Sequence, residues 1–249
     1  MAAAKKQRAD QALVERGLVE SRSKAQALIM AGLVFSAEKR IDKPGQAVTE
    51  AQPLEVRGQE HPWVSRGGLK LEKGLEAFAI DPAGLVCLDI GASTGGFTDV
   101  LLTQDAARVY AVDVGHGQLA WKLRQDARVA VLEKTNARHL TVEQVPEAID
   151  LVVCDASFIG LEVVLPAGLA LTRPGARVVA LIKPQFEVGR ERVGKGGVVR
   201  DPQLHREVCE RISAWLAARP GWRTLGVVES PITGPEGNVE FLLGGVRDA

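Results

Sequence analysis

From about residue 85 onward, short apolar runs rich in β-branched residues alternate with segments of helical length, and this alternation constrains the fold more than any other feature. Neighbouring parallel strands need a long crossover connection, which a helix usually supplies. The pattern therefore predicts a doubly wound α/β sheet whose ligands bind beyond the carboxyl ends of the strands. The predicted strands are Val86–Ile90, Val109–Val112, Val129–Leu132, Leu151–Cys154 and Val178–Ile182.

The C-terminal part predicts a helix over Leu204–Ala217 and then two further strands, Thr224–Val228 and Val239–Leu243. The connection between these strands, residues 231–238, is rich in proline and glycine and suits a hairpin-like return. We therefore expect an antiparallel strand that closes the parallel sheet at its end.

The residues before the sheet predict a separate small α+β unit over 5–60, then a linker and lead-in helix over 61–84, and the sheet domain over 85–246. Two helices are expected, ending near Gly17 and Gly32, and either Ser21 or Ser23 can cap the second. Short extended pieces follow, with a turn expected at Lys39–Arg40.

Charge is unevenly distributed along a chain whose 31 basic and 31 acidic residues cancel. The first 75 residues are net basic and the remainder is net acidic, which suggests a nucleic-acid-binding module joined to another domain. A merely solvated basic surface is the alternative. Aromatic residues make up only 4%, which argues against recognition built mainly on base stacking. The residues expected to form a phosphate-binding face are Arg8, Arg16, Arg22, Lys24, Lys39, Arg40 and Lys43.

Several classes of protein are disfavoured by composition. Hydrophobic residues at 46% and charged residues at 25% indicate a folded core. The three cysteines lie far apart and the four histidines lack ligand spacing, so neither a disulfide framework nor a zinc site is expected. No apolar stretch approaches the roughly 18 residues of a membrane span, and the first residues lack a signal-peptide core. We expect a cytoplasmic protein.

A glycine-rich turn follows the first predicted strand, with the pattern Asp-x-Gly-x-x-x-Gly at Asp89, Gly91 and Gly95. A dinucleotide fingerprint would have glycine where Ser93 stands. An acid-led turn suits the cationic amino-acid part of S-adenosylmethionine, and Asp113, after the second strand, is placed to accept hydrogen bonds from ribose hydroxyls. S-adenosylmethionine is therefore favoured over a nicotinamide cofactor or a turn without a ligand.

Two other motifs resemble known functional sites but lack a required residue. The segment Gly189–Gly196 nearly matches a phosphate-binding loop, but Gly196 stands where a magnesium-binding Ser or Thr is required. A mobile basic loop over the active site is the better interpretation, with Arg190, Arg192, Lys195 and Arg200 facing a polyanion. Gly91–Gly95 formally matches a hydrolase nucleophile elbow around Ser93, but no histidine follows the last strand.

Taken together, these motifs resemble the TlyA (hemolysin A) family of RNA 2′-O-methyltransferases, whose catalytic half is similar to FtsJ-type methyltransferases. The resemblance covers nearly the whole chain. One departure is Phe35-Ser36-Ala37-Glu38, where such small domains often carry Val-Asn-Gly, and it leaves the turn type there open. The stretches that carry the resemblance are Leu13–Leu18, Lys24–Gly32, Ser65–Leu71, Asp89–Phe97, Asp155–Ile159, Lys183–Glu187, Gly194–Val198 and Gly237–Phe241.

The resemblance implies a class I, Rossmann-like S-adenosylmethionine methyltransferase sheet with a small N-terminal α+β RNA-binding domain, as found in a ribosomal protein. It also implies a catalytic set of Lys70, Asp155, Lys183 and Glu240, with Glu240 in the last strand and no metal. The expected cofactor-binding residues are Asp89, Gly91, Ser93, Gly95, Gly96, Phe97, Asp113, Asn136 and Asp155. The expected RNA-binding residues are Arg8, Arg22, Lys24, Lys39, Arg40, Lys43, Arg66, Arg190 and Lys195.

In this interpretation Lys183 is either the base for a ribose 2′-hydroxyl or a donor that orients it, because nearby charges of both signs act in opposite directions. Asp155 and Glu240 would hold the lysines, and Lys70 would steer the ribose phosphate. The expected substrate is ribosomal RNA or a ribosomal subunit, methylated at a cytidine. A non-catalytic RNA-binding protein and a hemolysin-type activity are the alternatives, and the oligomeric state stays open.

Overall fold

The computed structural model describes residues 6–19, 21–57, 61–234 and 236–249. The chain divides into two compact units. The smaller unit comprises Met1–Val64 together with Ala120–Lys122, and the larger unit comprises Ser65–Leu119 and Leu123–Ala249.

The smaller unit contains two helices, α1 (Ala9–Glu15) and α2 (Arg22–Met30), and five short strands. Strand β1 pairs with β4, and β2 pairs with both β3 and β5, all antiparallel. The strands are β1 (Lys6–Arg8), β2 (Val34–Ser36), β3 (Lys39–Arg40), β4 (Ala47–Thr49) and β5 (Glu55–Val56). Its own apolar core consists of Ala9, Ala12, Leu13, Ala25, Ile29, Val34, Ile41 and Val48.

The predicted helix ends of this unit are confirmed. Gly17 and Gly32 follow the two helices with φ of 66° and 74°, the left-handed conformation that glycine adopts without strain. Of the two serine candidates, Ser21 is the cap, since its hydroxyl accepts from the backbone N–H of Lys24 at 3.3 Å.

The expected turn at Lys39–Arg40 is wrong. These residues form β3, in register with Phe35 and Ser36 of β2. The turn is formed by Ala37 and Glu38, between β2 and β3. Ala37 has a φ of 51°, which is an unusual conformation for alanine.

The larger unit is built on one seven-stranded sheet in the order β11-β12-β10-β9-β6-β7-β8. Strands β8, β7, β6, β9 and β10 run parallel, and β12 runs antiparallel to both of its neighbours. The doubly wound prediction is confirmed. The strands are β6 (Val86–Ile90), β7 (Arg108–Val112), β8 (Val129–Leu132), β9 (Ile149–Cys154), β10 (Thr172–Ile182), β11 (Trp222–Glu229) and β12 (Phe241–Arg247).

Two details of the sheet differ from expectation. Strand β12 begins at Phe241 rather than Val239, so Glu240 precedes the strand instead of lying in it. The antiparallel strand β12 also does not close the sheet, because it lies between β10 and β11. Strand order depends on pairing between residues far apart in sequence, which strand periodicity does not encode.

Helices accompany the strands, and two of them, α4 and α7, follow the carboxyl ends of β6 and β10. The predicted lead-in helix and the predicted helix before β11 are both present. The helices are α3 (Gly67–Ala77), α4 (Gly96–Thr103), α5 (Trp121–Arg124), α6 (Leu161–Ala170), α7 (Pro184–Glu187) and α8 (Pro202–Ala217).

The interior strands are almost entirely apolar, and β9 is buried along its whole length. Cys87 and Cys154 are buried and unpaired, as predicted. Among the residues described, no helix combines the length and apolar character needed to cross a bilayer.

The carboxyl ends of β6 and β9 approach each other closely. The backbone N–H of Asp155 donates to the carbonyl of Ile90 at 3.0 Å. Gly91, with a φ of 83°, has so little room that a Cβ there would lie 2.9 Å from the backbone N and Cα of Ala156. Glycine is therefore required at this position both for its backbone conformation and for space.

We expect Gly91→Ala to destabilise the protein more than Gly84→Ala, the matched control. Gly84 has a similar φ of 73°, but a Cβ there would have no atom within 4 Å, so its substitution should cost only the left-handed backbone penalty of about 1–2 kcal/mol. Gly91→Ala adds a clash with backbone, of about 1–3 kcal/mol more. Urea denaturation measures both free energies of unfolding, and equal losses would contradict the close approach.

Candidate active site

The glycine-rich turn joins β6 to α4 and is held from beneath by Asp89. This carboxylate is fully buried and accepts from the hydroxyl of Thr98 at 2.6 Å. Gly95, with a φ of 98°, is the N-cap residue of α4. Asp89 thus connects the end of β6 to the first turn of α4 and holds the glycine-rich loop between them in place.

Helix α3 begins against the same turn. A Cβ on Gly96 would lie 2.3 Å from the hydroxyl oxygen of Ser65 and 3.1 Å from the backbone N of Gly68. The start of α3 and the start of α4 can approach this closely because glycine stands at the contact. The approach places the next turn of α3, which carries Lys70, at the edge of the sheet.

Lys70 is buried and held by two carboxylates. Its Nζ lies 2.6 Å from Oε2 of Glu240 and 3.9 Å from Oδ2 of Asp155. The side chain of Glu240 is 1% exposed, so the pair is shielded from water and from screening by salt. A Cβ on Gly234 would lie 2.6 Å from Oε1 of Glu240, so this glycine leaves room for the buried carboxylate.

Lys183 follows β10 and contacts the other side of Asp155. Its Nζ lies 2.6 Å from Oδ1 of Asp155, 3.0 Å from the carbonyl of Asp155 and 2.8 Å from the hydroxyl oxygen of Ser157. Asp155 is therefore shared by two lysines from different elements. The Lys183-Pro184 pair also has a structural reason, since Lys183 is the N-cap of α7 and Pro184 takes the first helical position.

These four side chains, predicted as one catalytic set, meet at a cavity of about 500 Å³, a size typical of small-molecule sites. Five of the predicted cofactor residues line it as well: Gly91, Ser93, Gly96, Phe97 and Asp155.

Comparisons with known proteins agree with this geometry. Residues 63–247 match the FtsJ-like methyltransferase family and residues 7–52 match the S4 domain. TlyA of Mycobacterium tuberculosis, named a 16S/23S rRNA (cytidine-2′-O)-methyltransferase, is 53% identical over 241 residues, covering 96% of this chain and 90% of that protein. The chain belongs to the TlyA family.

Two further relatives support this assignment. Hemolysin A of Brachyspira hyodysenteriae is 40% identical over 236 residues, covering 94% of this chain and 98% of that protein. A solved structure from Streptococcus thermophilus that carries a hemolysin name superposes with a TM-score of 0.75 at 44% identity, covering 99% of this chain and 90% of that one.

Four of the predicted cofactor residues of this TlyA-family chain do not line the cavity. Asp89 and Gly95 support the turn from behind. Asp113 accepts from the backbone N–H groups of Ser93 at 2.8 Å and Gly115 at 2.7 Å. Asn136 caps a short 3-10 turn by accepting from the N–H of Arg138 at 3.1 Å. The contacts of these four residues stabilise the loops beside the cavity.

Sequence reasoning missed two phenylalanines at the cavity. Phe158 and Phe186 both line it, with ring centroids 5.0 Å apart. Phe158 is 90% exposed and has a φ of 64°, an outlier for a bulky residue. With Phe97, three of the chain's six phenylalanines lie here. Low aromatic content argues against stacking, but composition says nothing about where the few aromatic residues gather.

Asn238 was missed too, although it joins two segments at the cavity. Its side chain is almost fully buried, donates to the carbonyl of Gly197 at 3.0 Å and accepts from the N–H of Val199 at 3.0 Å. The glycine-rich loop is thereby tied to the segment that leads into Glu240. The loop forms two 3-10 turns, Arg190–Arg192 and Lys195–Gly197, where a phosphate-binding loop would continue into an α-helix.

The predicted RNA-binding residues are distributed over both units. In the S4 domain Arg8, Arg22, Lys24, Lys39, Arg40 and Lys43 all have exposed or half-buried side chains. Arg16 is different, since it donates to the carbonyls of Gln52 at 2.6 Å and Thr49 at 2.9 Å and serves the fold.

In the methyltransferase domain, Arg66 lines the cavity and donates to the carbonyl of Thr233 at 2.8 Å. Lys195 is exposed, whereas Arg192 pairs with Glu207 at 2.6 Å. The side chain of Arg190 lies outside the part of the chain that is described.

We expect the stability of the protein to depend on pH through Asp89. Burial, and secondarily the charges of Asp155 and Asp113, raise the pKa of Asp89 to about 7. A carboxyl group with a raised folded-state pKa stabilises the fold fully below its unfolded pKa near ~4, and this contribution is lost as pH rises through the folded pKa. Relative to Asp89→Asn, the wild type should therefore lose free energy of unfolding between pH ~4 and ~7, by at most about 1.4 kcal/mol per pH unit.

Urea denaturation of both proteins at several pH values measures this difference. A difference that stays constant with pH would show that Asp89 titrates normally. The asparagine oxygen can still accept from Thr98, so the comparison isolates the charge.

Proposed function

We propose that this chain transfers a methyl group from S-adenosylmethionine to a ribose 2′-hydroxyl of ribosomal RNA, at a cytidine. The observation that carries the proposal is the shared carboxylate of Asp155, which holds Lys70 and Lys183 at the cavity beside the glycine-rich turn. The name of the Mycobacterium tuberculosis relative supports the choice of cytidine and of ribosomal RNA. Such a substrate implies a cytoplasmic location.

The residues around the turn suit S-adenosylmethionine. Gly91 and Gly96 present backbone without side chains, and α4 begins at the cavity, so its first N–H groups are available to a carboxylate. When bound, the cofactor would supply an electrophilic methyl group on a sulfonium. Gly91, Ser93, Gly96 and Phe97, which line the cavity, would hold it. Asp113 lies beside the cavity and would accept from the ribose hydroxyls in addition to the N–H groups of Ser93 and Gly115.

The chain must then hold the ribose hydroxyl in line with that methyl group and give its proton a destination. Two hydrogen bonds, to the carbonyl of Asp155 and the hydroxyl oxygen of Ser157, fix the position of Nζ of Lys183, and the ion pair with Oδ1 of Asp155 adds to them. Lys183 would contact the 2′-hydroxyl, either as its base or as an orienting donor. Glu240 holds Lys70 at 2.6 Å, which leaves Lys70 to attract the phosphate next to the reacting ribose.

One exposed ring at the cavity indicates how the base would be held. Phe158 stands almost free of protein contact beside Phe186, and an aromatic face stacks with any nucleobase. Stacking on Phe158 would keep the target nucleotide out of its helix while its ribose enters the cavity. A protein that only binds RNA has no need for two buried lysine–carboxylate contacts at such a cavity, so the enzymatic interpretation is favoured.

We expect Lys183→Ala to lower turnover by about 100-fold or more, the usual scale for a positioned acid–base group. Its affinity for S-adenosylmethionine should stay close to that of the wild type, because the lost interaction belongs to the transition state. Single-turnover methylation of ribosomal RNA from cells that lack the enzyme measures the rate. Calorimetry measures the affinity for S-adenosylmethionine.

Lys183→Arg separates the two roles of this lysine, since arginine retains the charge but does not lose its proton in proteins. A strong loss of turnover in Lys183→Arg would favour Lys183 as the base. Near-normal turnover would leave Lys183 only the role of orienting the hydroxyl. RNA with 2′-deoxyribose at the target nucleotide is the matched substrate control. Methyl transfer to that RNA would move the reaction to the base and contradict the proposal.

We expect Phe158→Ala to raise the KM for RNA roughly tenfold or more, as the loss of one stacked base is worth about 1–3 kcal/mol. The KM for S-adenosylmethionine should change little. Val142→Ala, another exposed apolar residue of this domain that does not line the cavity, is the control, and Phe158→Trp should restore binding. An unchanged steady-state KM for RNA in Phe158→Ala would contradict a role for this ring in RNA binding.

A further inference from the structure

Asp10, a residue that the motifs did not single out, lies at the centre of a side-chain cluster in the S4 domain. It is the second residue of α1 and is 0% exposed. Arg8 donates to both of its oxygens, from Nε at 2.9 Å and from a terminal nitrogen at 3.0 Å. Arg22 donates from Nε at 2.9 Å, and the amide of Gln26 donates at 2.9 Å.

The carboxylate is fully used by these donors and by the backbone N–H of Gln11 at 3.0 Å. Hydrogen bonding from Arg8 first, and then from Gln26 and Arg22, holds the pKa of Asp10 well below its usual range. A buried carboxylate with this many donors is not available to a ligand. Its effect falls on the two arginines, whose side chains remain 45% and 52% exposed.

Both arginines keep N–H groups for another acceptor. Within the described residues, Nη1 of Arg8 and both terminal nitrogens of Arg22 have no hydrogen-bond acceptor. Gly45 leaves space for the first of them, since a Cβ there would lie 2.9 Å from Nη1 of Arg8. Two guanidinium groups are thus fixed by one buried anion, with their remaining donors directed away from it.

We propose that Asp10 is the positioning residue of an RNA-phosphate site formed by Arg8 and Arg22. A guanidinium held at Nε still presents further donors to a phosphate, and holding it in advance removes much of the rotamer entropy lost on binding. This inference rests on the proposed action on RNA. It adds that the affinity of the S4 domain depends on a negative charge that never touches the RNA.

The direction in which one substitution changes RNA affinity tests this proposal. Asp10→Asn removes a negative charge, so electrostatics alone would strengthen binding to RNA. A positioning role predicts the opposite result. The full chain should bind RNA about tenfold more weakly, which is the scale of one charge-assisted hydrogen bond. The slope of log affinity against log salt concentration should also be smaller in magnitude by about 1–2. The charge-matched control is Glu50→Gln, an exposed acid of the same unit, which should bind at least as tightly as wild type.

A second variant covers the case in which Asp10→Asn fails to fold. Arg22→Lys keeps the charge at an exposed position but loses the fork that contacts Asp10 and a phosphate together. Its RNA affinity should fall severalfold, because lysine cannot contact the carboxylate and a phosphate at the same time. Arg57→Lys is its control, because Arg57 pairs with Glu38 and Glu55 in the same unit and is not assigned to RNA.

The probe is total ribosomal RNA from cells that lack the enzyme, titrated with the full chain at several salt concentrations. Equal or tighter binding by Asp10→Asn, or unchanged binding by Arg22→Lys, would overturn the positioning role while the methylation proposal stands. Wild-type protein that neither binds this RNA with salt dependence nor methylates it would overturn both.

Discussion

The methyltransferase domain depends on one carboxylate that two lysines share. Asp155 follows β9 at the carboxyl edge of the sheet, and its backbone is locked to β6 through Ile90. Gly91 lets the two strand ends meet, and without that approach the carboxylate would not face Lys70 and Lys183 together. The chemistry of the cavity therefore rests on backbone packing at a position that carries no side chain.

Buried ion pairs of this kind are poor sources of stability, because removal of both charges from water offsets most of their attraction. Their value lies in fixed charges that need no rearrangement during a reaction. Lys70 and Lys183 have side chains only 7% and 8% exposed. They come from α3 and from the end of β10, so helix packing and sheet register both control their separation.

Local patterns predicted much of this molecule. Five parallel strands, the glycine turn and the S4 helix ends at Gly17 and Gly32 follow from periodicity and turn chemistry. Resemblance placed the four catalytic candidates, and the structure brings them to one cavity. Strand β12 between β10 and β11, the position of Glu240 before that strand, and the buried role of Asp89 were not predictable, since each depends on partners distant in sequence. The gathering of Phe158 and Phe186 was hidden for the same reason.

Asp10 and Asp155 show one arrangement used in two environments. Each carboxylate holds two cations from different elements, but around Asp10 the cations are arginines about half exposed, and around Asp155 they are lysines almost buried. Exposed guanidinium groups keep donors in a planar fork that suits a phosphate reaching them from solvent. Buried ammonium groups are compact point charges, which suits the proposed contact with a ribose that leaves water to enter the cavity. The choice of arginine or lysine thus follows from where the ligand meets the charge.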